Sequence, residues 1–171
     1  DVAGAATVTR HLIEQGHRRI AHLAGAPQRT TAADRRRGWE SALATAGISQ
    51  DSARLLGGTW ELEPSYIVLK EALDRPAREW PTAVFAANDF LALVAYRLAT
   101  ERGLRIPDDL SVVAYGNQEI AVGLNLTSVD QRPAQMGATA VDCVLARVAE
   151  SLDEGTKLFQ LGALQEHLIG G

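Results

Sequence analysis

The chain has 171 residues, 46% of them apolar and 22% charged, which suits one globular domain or one domain with a piece of a second. Seventeen Lys and Arg against 21 Asp and Glu leave a formal charge of −4, the wrong sign for a surface whose main work is to hold a nucleic-acid backbone. The one cysteine excludes an internal disulfide, and no run reaches the ~18 apolar residues of a membrane helix. The chain opens Asp1-Val2-Ala3-Gly4, without a Met or a basic-then-apolar leader, so a truncated start and a cytoplasmic setting are expected.

In chain order, Val8, Leu12 and Ile13 fall at helical spacing over residues 4–15, and Gly16 closes that helix. Ile20 to Leu23 reads as a strand. A helix carrying Trp39 and Leu43 follows and ends at Gly47; Leu55-Leu56 is a second short apolar run. Pro81 precedes Ala83-Val84-Phe85-Ala86-Ala87, whose unbroken apolar character predicts a central strand covered on both faces. Leu91, Val94, Ala95 and Leu98 then mark a helix over residues 89–102 that stops at Gly103. Pro107 introduces a strand from Leu110 to Ala114, and Thr127 to Val129 is another. A helix is expected from Pro133 to Glu150, with Cys143 as a small buried hydrophobe among Met136, Ala140 and Val144. Residues 151–156 read as a surface turn, with closing strands at Lys157–Leu161 and Leu164–Ile169.

Strands alternating with helices predict an α/β fold, a mostly parallel sheet flanked by helices. Two helices stand apart from that scheme. The first has no preceding strand in this chain, and the helix from Pro133 leaves the sheet; both suit a second lobe that is mostly absent.

Ligands of open parallel sheets bind beyond the carboxyl ends of the strands. Arg29, Thr31 and Arg35 follow the first strand, Trp60 the second, Asn88 the third, Gly116 the fourth and Gln131 the fifth. Residues 26–39 hold four Arg against one Asp. Arg29 or Arg35 offers a fork of donors to a carboxylate, phosphate or ring edge, whereas Arg36 and Arg37 read as a solvated helical turn. Trp60 offers a face to a sugar or base, or is simply core. Asn88 offers an amide to a ligand and, equally, a cap to the next helix. Together these side chains describe a pocket for a polar, planar small molecule. No catalytic residue, metal site or cofactor is expected. His11, His17, His22 and His167 lie at no metal-ligand spacing, His17 reads as helix-terminal, and no nucleophile elbow, P-loop or dinucleotide fingerprint occurs.

Five ordered motifs resemble the lactose-repressor (LacI/GalR) family of transcriptional regulators. They are Gly16-His17-Arg18-Arg19-Ile20-Ala21 with Leu23-Ala24-Gly25; Arg35-x-x-Gly38-Trp39; Pro81 to Asp89 followed by Ala92; Gly103 to Val113; and Leu126 to Gln131 with Met136-Gly137. The resemblance implies a two-lobed, periplasmic-binding-protein-like type I fold, with an effector between the lobes and dimerisation through this region. This chain would be mainly the second lobe. Residues 1–16 would be the last helix of a truncated first lobe, 17–131 the second effector-binding lobe, 132–150 a return helix and 151–171 the closing strands. The resemblance also implies that Arg35, Trp60, Asn88 and Gln131 line the effector cleft, and that Arg29 and Thr31 resemble the R-x-T arrangement of the family's purine repressor. Gly116 departs from an Asp that grips sugar hydroxyls in many members, and Ala3 stands where the lactose repressor has another Asp. The effector is therefore a sugar, a nucleobase-like molecule or another polar metabolite, and a simple hexose fits least. On this reading a homodimer senses the effector and reaches operator DNA only through an N-terminal head missing from this chain, with no membrane partner. The alternative is a periplasmic-type solute-binding protein for sugar uptake.

Overall fold

The computed structural model describes residues 1–49 and 53–168, with residues 152–168 described as backbone only. Two compact units form, one from Asp1 to Gln131 and one from Arg132 onward.

The first unit is built on five strands, β1 (Ile20–Ala24), β2 (Leu55–Gly57), β3 (Ala83–Ala86), β4 (Ser111–Gly116) and β5 (Thr127–Asp130), in the order β2-β1-β3-β4-β5. Every pairing is parallel, with Ala21 beside Val84, Val84 beside Val112 and Ala114 beside Ser128. Five helices cover the sheet: α1 (Val2–Glu14), α2 (Thr30–Thr45), α3 (Leu62–Leu73), α4 (Asp89–Arg102) and the short α5 (Glu119–Gly123). Side chains alternate across a strand, so the central strands feed two cores. Ala21, Leu23, Val84, Ala86, Val112 and Ala114 pack against α3, α4 and α5 residues such as Leu69, Leu73, Leu91, Leu98 and Ala121. Ile20, Phe85, Val113 and Tyr115 pack against Ala5, Val8 and Leu12 of α1 and Trp39 and Leu43 of α2.

Helix α1 is not left without a sheet: it belongs to the same unit and buries Ala5, Val8, Thr9 and Leu12. Glycines make that packing possible. A Cβ on Gly38 would fall on the Val2 carbonyl and 2.7 Å from the Ala5 Cβ, and one on Gly4 would lie 2.8 Å from the Tyr115 hydroxyl. The two helix backbones thus touch where Gly38 has no side chain.

Local punctuation works as the residues suggest. The Asn88 Oδ1 accepts from the Leu91 N–H at 2.7 Å and caps α4, and Gly103 ends it at φ 66°. At the amino edge of the sheet, His17 is more than a helix-terminal residue. Its Nδ1 lies 2.9 Å from the Thr82 hydroxyl and its Nε2 3.0 Å from the Ser111 hydroxyl, tying the entries of β3 and β4 to the turn before β1.

The second unit is a helix, α6, over Pro133–Leu168. It replaces the expected turn at 151–156 and the closing strands at 157–161 and 164–168; Ile169, the end of the second, lies outside the described residues. The reason is periodic: Leu158, Leu161, Leu164 and Leu168 recur at steps of three and four, a helical rather than an alternating pattern. Cys143 is exposed, not buried, and shares that condition with Met136, Val141, Val144, Leu145 and Val148.

Candidate functional site

All five strands run the same way, so their carboxyl ends share one edge. The chain leaves β1 toward β2 on one side and leaves β3 toward β4 on the other. The order reverses between β1 and β3, and it is at such a switch point that parallel sheets hold ligands.

Arg35 stands at this switch point. It belongs to a buried helix stripe with Ala32, Gly38 and Trp39, which turns its side chain inward from α2. Its Nη1 donates to the Ala87 carbonyl just past β3 at 2.7 Å, and its Nε donates to the Asp1 carboxylate at 3.1 Å. The guanidinium lies over the Tyr115 ring, 4.1 Å from its centroid. Burial pulls the Arg35 pKa below its ordinary value, and Tyr115 and Asp89 pull it back up. Two groups therefore fix the fork from one side, and its Nη2 has no partner among the described residues. A clamped, nearly buried cation with donors to spare is a preorganised acceptor-binding group.

The other expected residues distribute around it. Trp60, half-buried, packs on the α3/α4 core, and its six-membered ring lies against the bare α-carbon of Gly25 at the end of β1. Asn88 follows Ala87 directly; its side-chain oxygen is engaged by the α4 cap, which leaves the amide NH₂ for other partners. Gly116 ends β4 at φ 144°, and a Cβ there would lie 2.6 Å from the Asp89 Oδ2. So Arg35 (through Ala87), Asn88 and Gly116 (through Asp89) form one linked group, with Trp60 over the neighbouring strand end. Arg29, Thr31 and Gln131 occupy the same edge as exposed residues, and among the described residues no hydrogen bond or ion pair draws them into that group.

Sequence reasoning missed the support beneath. Asp89 is 1% exposed. Its Oδ2 accepts the Gln118 N–H at 2.8 Å and its Oδ1 accepts the Ser128 hydroxyl at 2.6 Å, while Ser128 in turn accepts the Asn117 N–H at 3.0 Å. One carboxylate thus joins the ends of β3, β4 and β5. The signal was present: a buried strand running into Asn88-Asp89 leaves two polar groups where only the first is needed as a cap. It also explains Gly116, because the space a side chain would need is already held by Asp89.

Among the described residues, no group of three or more His, Cys, Asp or Glu side chains is arranged to hold a metal, and no helix is long and apolar enough to cross a membrane. The deeply buried His22 in β1 places Nδ1 2.9 Å from the Phe85 carbonyl and stacks on the Phe85 ring; it is a core residue.

A family model for the periplasmic binding protein-like domain matches residues 9–162. The HTH-type transcriptional repressor PurR of Aliivibrio fischeri is 34% identical over 160 residues, which cover 92% of this chain and 47% of that protein. The chain thus spans about half the length of such curated relatives. Among solved structures, a LacI-family regulatory protein from Chloroflexus aggregans matches with a TM-score of 0.79 at 30% identity, covering 86% of this chain and 53% of its own. The regulator CelR, solved in complex with cellobiose, matches with a TM-score of 0.74 at 31% identity, covering 88% and 46%. These relatives are transcriptional regulators rather than enzymes. The chain belongs to the periplasmic binding protein-like family, and within it to the domain type of the LacI/GalR regulators.

Proposed function

We propose that this chain is the effector-sensing and dimerising domain of a DNA-binding transcriptional regulator, holding a small polar molecule at the carboxyl edge of its sheet without transforming it. The observation that carries this reading is Arg35, clamped by Ala87 and Asp1 over Tyr115 at the β1–β3 switch point. Trp60, Asn88 and Gln131 complete the binding edge, with Arg29 and Thr31 at its α2 side. The residues 1–16 and 132–150, read by resemblance as first-lobe helices, belong to the same proposal, although α1 packs within the first unit. The effector steadies one arrangement of two lobes, and a coupling of about 1–3 kcal/mol is enough to change operator affinity several-fold to a hundredfold. DNA is read by a head elsewhere in the longer protein, in the cytoplasm. PurR among the relatives and the bound cellobiose of CelR make nucleobase-like and sugar effectors the first to try.

A second copy of the chain is the proposed partner of an apolar groove of about 430 Å³ between α3 and α4, lined by Leu62, Tyr66, Leu93, Tyr96 and Leu124. Leu62, which lines it, is 44% exposed, an apolar side chain open to a partner.

The test is calorimetry on the full-length regulator with sugars, purines and their phosphates, each followed by an operator-binding titration. A ligand that binds and shifts operator affinity, with binding weakened at least tenfold by Arg35→Lys, supports the reading. Binding that leaves operator affinity unchanged, or that Arg35→Lys does not touch, overturns it.

A further inference from the structure

A hollow near the carboxyl edge lies apart from the rim residues. A cavity of about 440 Å³ lies on the outer side of α2, against the ends of β1 and β2, and includes none of Arg35, Trp60, Asn88, Gly116 or Gln131. Its volume falls in the range of small-molecule sites, roughly 300–1,000 Å³.

We propose that this cavity is a second small-molecule site, separate from the effector edge, for a ligand with a flat apolar body and a phosphate or carboxylate at one end. The cavity floor is Gly57 and Gly58, at φ 79° and 127°, and the only heavy atom a Cβ on Gly58 would approach is one from Pro27 at 4.0 Å. The walls from α2 are Ala32 and Ala33, so methyl groups stand where larger side chains would close the space. Pro27 and Leu55 add hydrocarbon on either side, and Leu55 is itself 40% exposed. The result is a slot with apolar walls and bare backbone below.

The charged end follows from the rim. Arg36 and Arg37 line the cavity, with Glu40 as the one carboxylate. Arg36 gives only its Nε to Glu40, at 2.7 Å, and Arg37 gives Nη2 to Asp34, at 2.5 Å. The terminal nitrogens of Arg36 have no partner among the described residues, so a fork of donors remains over the slot. Both arginines are half-exposed or more, so their ion pairs hold them weakly and a ligand anion can recruit them. The sequence reading of Arg36 and Arg37 as a solvated turn accounts for their exposure but not for the hollow beneath them. The cavity touches the effector edge at two points: Gly25 lies between it and the Trp60 ring, and Arg36 adjoins Arg35 on α2.

The probe is phenyl phosphate, titrated into the isotopically labelled 171-residue chain and followed by amide shifts. Inorganic phosphate and benzyl alcohol serve as the charge-only and ring-only arms. Saturable shifts at Ala32, Ala33, Gly57 and Gly58 are expected, with either arm binding at least tenfold more weakly. Arg36→Ala with Arg37→Ala should weaken phenyl phosphate at least fivefold, and Ala33→Phe, which fills the slot from its α2 wall, should abolish the shifts. Thermal unfolding of each variant checks that the fold is kept. Shifts centred on Asn88 and Gly116, equal binding by inorganic phosphate, or full binding by Ala33→Phe would overturn the proposal. The outcome is independent of the effector reading, which rests on Arg35 and operator affinity.

Discussion

The two faces of the sheet are built from different materials. On the α3/α4 face, Leu23, Leu69, Leu73, Val84, Leu91 and Leu98 meet as hydrocarbon, with Ser65 and Asp89 the buried polar side chains of its two helices. The α1/α2 face carries the buried His22, Arg35 and Thr9 among its apolar residues, and its helices approach through Gly4 and Gly38. The first face resists substitution by volume, the second by fit and by charge. The site draws on both: Arg35 is anchored on the second face, while Trp60 packs on the first and Asn88 caps its helix α4.

The largest effects should show this contrast. Leu69, fully buried, leaves a cavity when cut to Ala, and the expected cost is about 3 kcal/mol, read as a lower denaturant midpoint with an unchanged slope. Gly38→Val adds only two methyls and a Cβ but drives them into the α1 backbone, so a comparable loss of about 3 kcal/mol is expected. The difference is in the partner: the second variant should expose α1 amides to hydrogen exchange, and the first should not. Equal exchange in α1 for both variants would remove the distinction between the faces.

Acid sharpens it next. Burial holds His22 down at about 4, against an ordinary value of 6.5; the Phe85 carbonyl raises it somewhat, and Arg36 and Arg35 lower it. The neutral ring is thus the folded form, and the unfolded chain binds the extra proton. Stability is full above pH 6.5 and falls as pH drops toward 4, by on the order of 3 kcal/mol. His17, lowered by burial as well, adds a smaller loss of the same sign. The exposed Asp109, held at about 2 by Arg105, titrates below this window. His22→Phe should flatten most of the slope between pH 6.5 and 4; an unchanged slope would mean that His22 is not the group responsible.

Much of this architecture is legible in the residues because it is local. Gly16, Gly47 and Gly103 stop helices by their own backbone freedom, Asn88 caps the helix three residues ahead, and the unbroken run from Ala83 to Ala87 marks the centre of the sheet. What is not legible is long-range. Nothing beside Gly38 in sequence says that Val2 and Ala5 will lie against it, so α1 looks unattached. Short apolar runs near Leu158 and Leu164 satisfy a strand by composition and a helix by spacing, and spacing prevails. At the site, Arg35 announces itself by its motif, whereas Asp89 is hidden behind its capping neighbour, since its partners Gln118 and Ser128 are 29 and 39 residues away.

Asp89 offers a test of intermediate size. Asp89→Asn keeps the shape but replaces one acceptor with a donor that faces the Gln118 N–H or the Ser128 hydroxyl, at a cost of about 2 kcal/mol. Gly116→Ala should cost a similar 1–3 kcal/mol through its φ of 144° and the encroachment on Asp89. Because both act on one contact, the double variant should cost less than the sum of the two. Strict additivity would place Asp89 and Gly116 in separate roles.

The smallest expected effect on stability separates Asn88's two jobs. Asn88→Ala removes the oxygen that accepts the Leu91 N–H and should cost about 1 kcal/mol. Asn88→Asp keeps an acceptor at that position and places a negative charge at a helix start, where it is favoured, so unfolding should change by a few tenths of a kcal/mol at most. The same change removes the amide donors and sets a carboxylate at the binding edge beside Arg35. If Asn88 touches the effector, Asn88→Asp should lose affinity tenfold or more while melting like the parent. If affinity follows stability, falling in Asn88→Ala and holding in Asn88→Asp, the residue is a helix cap alone and the binding edge loses its central amide.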